Sequence, residues 1–201
     1  MAWIKTIPYI QSVGQLRKIY DRVKGPDNTV DNILLAHSLR PHTLTGHMAL
    51  YKNVLHNFNN TLPKWFLEAI GVHVSILNQC SYCVEHHSAG MKRLINDEEM
   101  SKSILIALGT KNPKKAFGGK ELEALKYASK LTKSPGTVEK DDISALQNAG
   151  YNDGEILEIN QVVSYFAYAN RTVTGLGVDI KGDILGLSPN RGDDPKNWSH
   201  A

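Results

Sequence analysis

Three features of the 201-residue chain predict an all-α fold. Apolar residues recur at the three-and-four spacing of a helix over most of its length. No run alternates apolar and polar residues as a half-buried strand would; Trp3 to Ile7 offers only a short extended piece. Residues that open and close helices also fall between the periodic runs.

Leu16, Ile19, Tyr20 and Val23 form the first stripe, which Gly25-Pro26 ends. Asp31 to Ser38 is a short apolar helix. Pro41 opens the next, with Leu44, Met48, Tyr51 and Leu55 on one face, and Asn59-Asn60-Thr61 breaks it. Pro63 suits the first turn of a helix over Trp65 to Leu77 that is apolar nearly all round and therefore expected to be buried on every side. Asn78-Gln79 interrupts, and Cys80 to Leu94 is a separate helix. Asn96-Asp97 caps Glu98 to Leu108, which Gly109 stops. Lys120 to Leu131 and Lys140 to Ala149 are shorter helices parted by Ser134-Pro135-Gly136. Asn152 and Glu155 make a capping box for the longest helix. That helix carries Ile156, Ile159, Val163, Phe166, Asn170 and Val173 on one face and closes at Gly175 and Gly177.

No fixed-period repeat or Gly/Ser linker divides the chain, so one helical domain is expected over 1–187. Residues 188–201 form a polar, proline-containing tail. Its Arg191-Gly192-Asp193 tripeptide carries almost no specificity, and the lysines around 111–120 are a solvated loop.

With 23 basic and 20 acidic residues the formal charge is only +3, which gives no reason to expect nucleic acid or an anionic membrane as partner. The longest uncharged stretch, Ala69 to Val84, is too short and too polar to span a bilayer. The N-terminus lacks the apolar core of a signal peptide, and a cytoplasmic location, where thiols stay reduced, is the expectation. The two cysteines, Cys80 and Cys83, cannot staple a secreted scaffold.

They can instead do redox chemistry. A C-x-x-C pair at a helix start holds two thiols one turn apart, and the helix N-terminus favours a thiolate. His87 lies four residues after Cys83 and seven after Cys80, which predicts a common stripe. Its imidazole can take a thiol proton or give one to a leaving oxygen. Glu68 is the only charged residue between Trp65 and Val84. Buried, it could relay protons; in an exposed first turn, it would only favour the helix dipole. Both placements are open at this point. Covalent haem needs His directly after the second cysteine, where Val84 stands. Zinc needs four ligands, and this stripe supplies at most three, with His73 the only further candidate. A thioredoxin fold needs βαβ units. No metal or cofactor is therefore expected.

Glu68, eleven intervening residues, then Cys80-Ser81-Tyr82-Cys83-Val84-Glu85-His86-His87 resembles the E-x11-C-x-x-C-x3-H motif of the AhpD-like alkylhydroperoxidases. These are a group within the carboxymuconolactone decarboxylase family. Asn78-Gln79 before the pair, Ile33 to Pro41 and Asn170 to Gly177 are similar to its peroxidase-related branch, so the resemblance covers roughly residues 5–185. It implies an AhpD-like multi-helical bundle, a homo-oligomer of the trimer or hexamer type, and hydroperoxide reduction with a dithiol as reductant. It further implies Cys83 as the peroxide-attacking thiol, Cys80 as its resolving partner, and His87 with Glu68 as the proton relay. One position departs: Tyr82 stands where AhpD proper has a histidine, and a phenol is a poorer base at neutral pH. His86 and His73 are read as packed or surface histidines.

The leading function is a thiol peroxidase. Its rivals are a non-peroxidatic disulfide-exchange or redox-sensing module and a decarboxylase of the wider family, for which a thiol pair has no use. An inert helical oligomer is a further rival.

Overall fold

The structure, a computed structural model, describes residues 2–186. The expected polar tail, with its Arg-Gly-Asp tripeptide, lies outside the described residues. Nine α-helices occur among the described residues, and no strand. They are α1 (Gly14–Val23), α2 (Asn32–Ala36), α3 (Pro41–Leu55), α4 (Lys64–Leu77), α5 (Ser81–Ile95), α6 (Glu98–Gly109), α7 (Gly119–Lys133), α8 (Lys140–Asn148) and α9 (Asp153–Gly175). Short 3-10 turns at Tyr9–Gln11, Pro26–Asn28, Pro113–Lys115 and Pro135–Thr137 join some of them.

α4 is the central helix. Every residue from Phe66 to Ser75 is buried. It packs most extensively on α5, then on α9 and α7, with α3 and α6 at its flanks. Burying one large aliphatic side chain is worth about 1.5–3 kcal/mol, so a helix covered all round holds its neighbours through many such contacts. Gly71 lets α9 come close: a Cβ there would lie 2.1 Å from the Phe166 ring.

Capping sets the boundaries. Asp97 accepts from the Met100 N–H at the start of α6. Asn152 and Glu155 complete the expected capping box of α9. A second box, Glu139 with Asp142, opens α8. Small shifts from expectation have local causes. Asn96 takes the left-handed conformation that terminates α5 instead of joining the cap of α6. Cys80 is the N-cap of α5, outside the helix, with φ −92° and ψ 89°.

Candidate active site

The site begins at the turn between α4 and α5. Gln79 adopts φ 58°, and the Cys80 N–H donates to the Ser75 carbonyl at 2.9 Å. This reverses the chain so that α5 returns along α4. The Cys80 carbonyl accepts from the Val84 N–H at 3.0 Å and starts the new helix. Cys80 is thus fixed before the first turn and Cys83 within it. Both are buried, with their sulfurs 2.9 Å apart and both thiols free.

The two thiols differ in acidity. The Cys80 thiol is lowered to about 6, first by the hydrogen bond from the Cys83 thiol and further by the Cys83 backbone N–H and the Thr174 hydroxyl, against a cost from burial. The Cys83 thiol is raised well above the usual range, first by serving as donor to Cys80, then by burial and by the Cys80 charge. The Asn170 side chain acts in the opposite direction on Cys83. The thiolate of the reduced pair therefore rests on Cys80 and the shared proton on Cys83.

Glu68 is buried, which resolves its two possible placements. Its Oε2 lies 2.6 Å from His87 Nδ1, and its Oε1 lies 3.7 Å from His56 Nε2. A carboxylate only accepts, so the His87 Nδ1–H donates to it. Nε2 is then the nitrogen available for chemistry. The edge of Phe166 meets the His87 ring at 4.6 Å between centroids. Gly71, Phe166 and His87 thus form one packed series from α4 through α9 to α5.

Cys83 and His87 line a partly enclosed cavity of about 60 Å³, shared with His47, Tyr51, Tyr82 and Tyr165. One water needs roughly 10–15 Å³ by this measure, so a few waters or one small molecule would fit. Cys80 does not line this cavity. It lines a shallow groove of about 300 Å³ on the outside, with Ser75, Gln79, Ser81, Val84 and Glu85. The expected common stripe therefore joins Cys83 to His87 but omits Cys80, because its N-cap dihedrals are not helical.

Residues beyond the motif complete the walls. His47 is buried with its Nδ1 unpartnered, and burial lowers its pKa to about 3, so the ring is neutral. Asn170 donates to Ser75 Oγ at 3.0 Å and accepts from the Asn78 amide at 3.0 Å, tying α9 to the end of α4. Asp183 accepts from the Tyr82 hydroxyl at 2.7 Å and from the Asn32 N–H at 3.1 Å, and lies 3.2 Å from His86 Nε2. The Tyr82 hydroxyl also accepts from the Ile33 N–H at 3.2 Å. Asp31, beside this cluster, is raised to about 6, chiefly by burial; His86 opposes the rise and Asp183 adds to it.

His86 lines the same cavity, stacked on Tyr82. His73 does not. It packs under α7 with Nε2 2.7 Å from Ser129 Oγ. Among the described residues, no three His, Cys, Asp or Glu side chains are arranged to hold a metal ion. No helix among them is long and apolar enough to cross a membrane.

No family model and no curated protein matches the chain. Solved structures do. An uncharacterized peroxidase-related protein with an alkylhydroperoxidase AhpD core, from Ralstonia eutropha JMP134, is 21% identical; the match covers 94% of this chain and 98% of that one, with a TM-score of 0.79. An uncharacterized peroxidase-related protein from Silicibacter sp. TM1040 is 23% identical over 88% of this chain and 87% of its own, with a TM-score of 0.72. The debrominase Bmp8, as a cysteine-to-alanine variant in complex with 2,3,4-tribromopyrrole, is 18% identical over 84% of each chain, with a TM-score of 0.64. The chain has the all-α, AhpD-like fold.

Proposed function

We propose that the protein is a thiol peroxidase that reduces small hydroperoxides through Cys83 and Cys80. One observation carries this reading: Cys83 shares a small pocket with His87, whose Nδ1 is held by buried Glu68, while Cys80 waits 2.9 Å behind it.

The chemistry proceeds in two steps. The proton shared by the pair moves from Cys83 to Cys80, which puts the thiolate on the cavity side. Cys83 sulfur attacks the outer peroxide oxygen. The O–O bond breaks, and the leaving alkoxide takes a proton from His87, which Glu68 orients and stabilises as imidazolium. Cys83 is now a sulfenic acid. Cys80 attacks its sulfur, and the hydroxyl departs as water with the Cys80 proton. The sum is one hydroperoxide and two thiols giving one alcohol, one water and one disulfide. A dithiol then restores the pair.

Exposed apolar side chains at Ile10, Val13, Phe58 and Leu157 support a homo-oligomer. A trimer or hexamer, working in the cytoplasm where dithiols are kept reduced, is the assembly and place that suit this cycle. Sedimentation equilibrium checks the first.

The defining test is hydroperoxide consumption by purified protein with dithiothreitol. Turnover with hydrogen peroxide and t-butyl hydroperoxide, abolished by Cys83→Ser, supports the reading. Disulfide cycling without peroxide turnover would make the protein an exchange module. A second reading rests on the aromatic walls of the cavity, Tyr51, Tyr82, Tyr165 and His47, and on the likeness to a debrominase. A thiol pair can remove bromide from an electron-rich ring, with proton replacing halogen and the pair becoming a disulfide. Bromide release from a bromopyrrole tests that activity directly.

A further inference from the structure

His47 is buried in α3, 4% exposed, and lines the cavity with Cys83 and His87. Rings enclose it. Centroid distances are 5.1 Å to His37, 5.9 Å to Tyr165, 6.0 Å to Tyr168 and 6.5 Å to Tyr51, whose plane lies within 4° of its own. Packing of this kind asks only for a flat ring, and a phenyl group would supply one. The position holds an imidazole instead, and its Nδ1 is sealed from solvent with no hydrogen-bond partner. A buried polar atom that the protein leaves unmatched calls for another explanation.

That explanation lies at the other nitrogen. A neutral imidazole has one N–H donor and one bare acceptor nitrogen. A stranded N–H is the rarer fault in folded chains, so the bare nitrogen takes the sealed Nδ1 place and the proton sits on Nε2. Because Nδ1 is sealed, Nε2 is also the nitrogen that an occupant of the cavity can reach.

We propose that His47 is a further catalytic residue, whose Nε2–H donates a hydrogen bond to the leaving oxygen of a hydroperoxide bound against Cys83. This rests on the peroxidase reading above and adds a group to it. The two imidazoles divide the work. His87 lies 2.6 Å from the Glu68 carboxylate and can hold a proton to give away. His47 cannot: burial lowers it to about 3, and His37 and His87 add to the fall, so it keeps one N–H at any working pH. A fixed donor of that kind stabilises charge as it develops without surrendering its proton. When Cys83 sulfur bonds the outer oxygen, the O–O electron pair moves to the inner oxygen. The His47 N–H meets that charge, a proton from His87 completes the alcohol, and His47 ends unchanged. The cavity is only about 60 Å³, so one occupant meets both rings that line it. Tyr51 is packed against both, 6.5 Å from His47 and 6.4 Å from His87 between centroids.

Two substitutions and one spectrum test this on the full chain. His47→Phe keeps a packed ring and removes the N–H; His47→Gln restores a side-chain N–H without the ring. Peroxide kcat/KM of the Phe variant should fall about 100-fold. Its thermal midpoint at pH 7 should stay at or above wild type, since an unmatched polar atom has left the interior. The Gln variant should recover at least tenfold of the lost kcat/KM. The third arm needs neither turnover nor a change at position 47. In Cys80→Ser/Cys83→Ser protein labelled with nitrogen-15 histidine, t-butyl hydroperoxide binds without being consumed. The His47 Nε2 resonance should move saturably, while that of His73, packed on Ser129, stays. The proposal is overturned if the Phe variant keeps wild-type kcat/KM, if it loses midpoint and activity together and Gln restores neither, or if added hydroperoxide leaves the His47 resonance in place. A wild-type chain inert to peroxide whose His47 still responds would sink the peroxidase reading alone. Full turnover with a silent His47 would sink this proposal alone.

Discussion

Glu68 Oε2 lies 2.6 Å from His87 Nδ1, in a contact between the middle of α4 and the first turns of α5 where the carboxylate is almost wholly out of water. A buried carboxylate is costly unless it is paired, and here the pairing also fixes which imidazole nitrogen faces the cavity. Glu68→Gln keeps a hydrogen-bonding group of similar shape and removes the charge that stabilises an imidazolium. Peroxide kcat/KM should fall roughly 100-fold, while circular dichroism stays unchanged. A variant with wild-type kcat/KM would remove Glu68 from the relay.

The thiol pair sets a pH dependence. Reactivity needs one thiolate, and Cys80 holds it with a pKa of about 6. Lowering pH through that value adds a proton to the pair, so disulfide formation by peroxide should slow below about pH 6 and level off above it. Stopped-flow rates from pH 4.5 to 8 give the midpoint. A midpoint near 8.5–9, the range of an ordinary thiol, would contradict the hydrogen-bond network around Cys80.

Gly71 is fixed by the aromatic ring that rests on it. Gly71→Ala would place a Cβ 2.1 Å from Phe166, and the ring must move off α4. Overpacking of this kind costs about 1–3 kcal/mol. Phe166 also abuts His87, so peroxide kcat should fall together with the thermal midpoint. Stability loss with full activity would uncouple the two contacts.

Buried histidines make the fold sensitive to acid. Burial lowers His47 to about 3 and His73 to about 4, so both stay neutral in the folded chain. Unfolded imidazoles protonate below about 6.5. Between roughly pH 6.5 and 4 the unfolded state therefore binds more protons at these two sites, and stability falls as pH falls, by about 1.4 kcal/mol per pH unit for each. Asp31 acts oppositely. Its folded value of about 6 lies above the ordinary aspartate range, so its contribution is present at low pH and lost as pH rises through about 6. Urea unfolding of His73→Gln at pH 7 and pH 5 checks the balance. The difference between the two pH values should shrink by about 2 kcal/mol relative to wild type, and an unchanged difference would show that His73 does not contribute.

The part of the site that lies close together in sequence was legible there. Spacing placed Cys83 and His87 on one helical stripe, and the all-round apolar character of residues 65–77 announced a central helix. Burial of Glu68 was not decided by pattern, because a position near a helix start suits both a dipole contact and a core pair. His47 did carry a signal, since it precedes Tyr51 by one turn on α3 and Tyr51 belongs to the apolar stripe. Asp183 carried none: it sits in a polar stretch without periodicity, and its partners are remote in sequence. The different outlooks of Cys80 and Cys83 depend on one pair of N-cap dihedrals, which residue spacing does not encode.

The Asp183 anchor also has a consequence for biosynthesis. Asn32 and Asp183 are 151 positions apart, and Tyr82 and Asp183 are 101 apart. Helices near the start of a chain gain local contacts while translation continues. This wall of the cavity closes only after residue 183 has left the ribosome. Until then Tyr82 and His86 lack their shared carboxylate, and the thiol pocket is unfinished in every nascent chain. The redox centre therefore matures about a hundred residues of synthesis after its two cysteines have emerged.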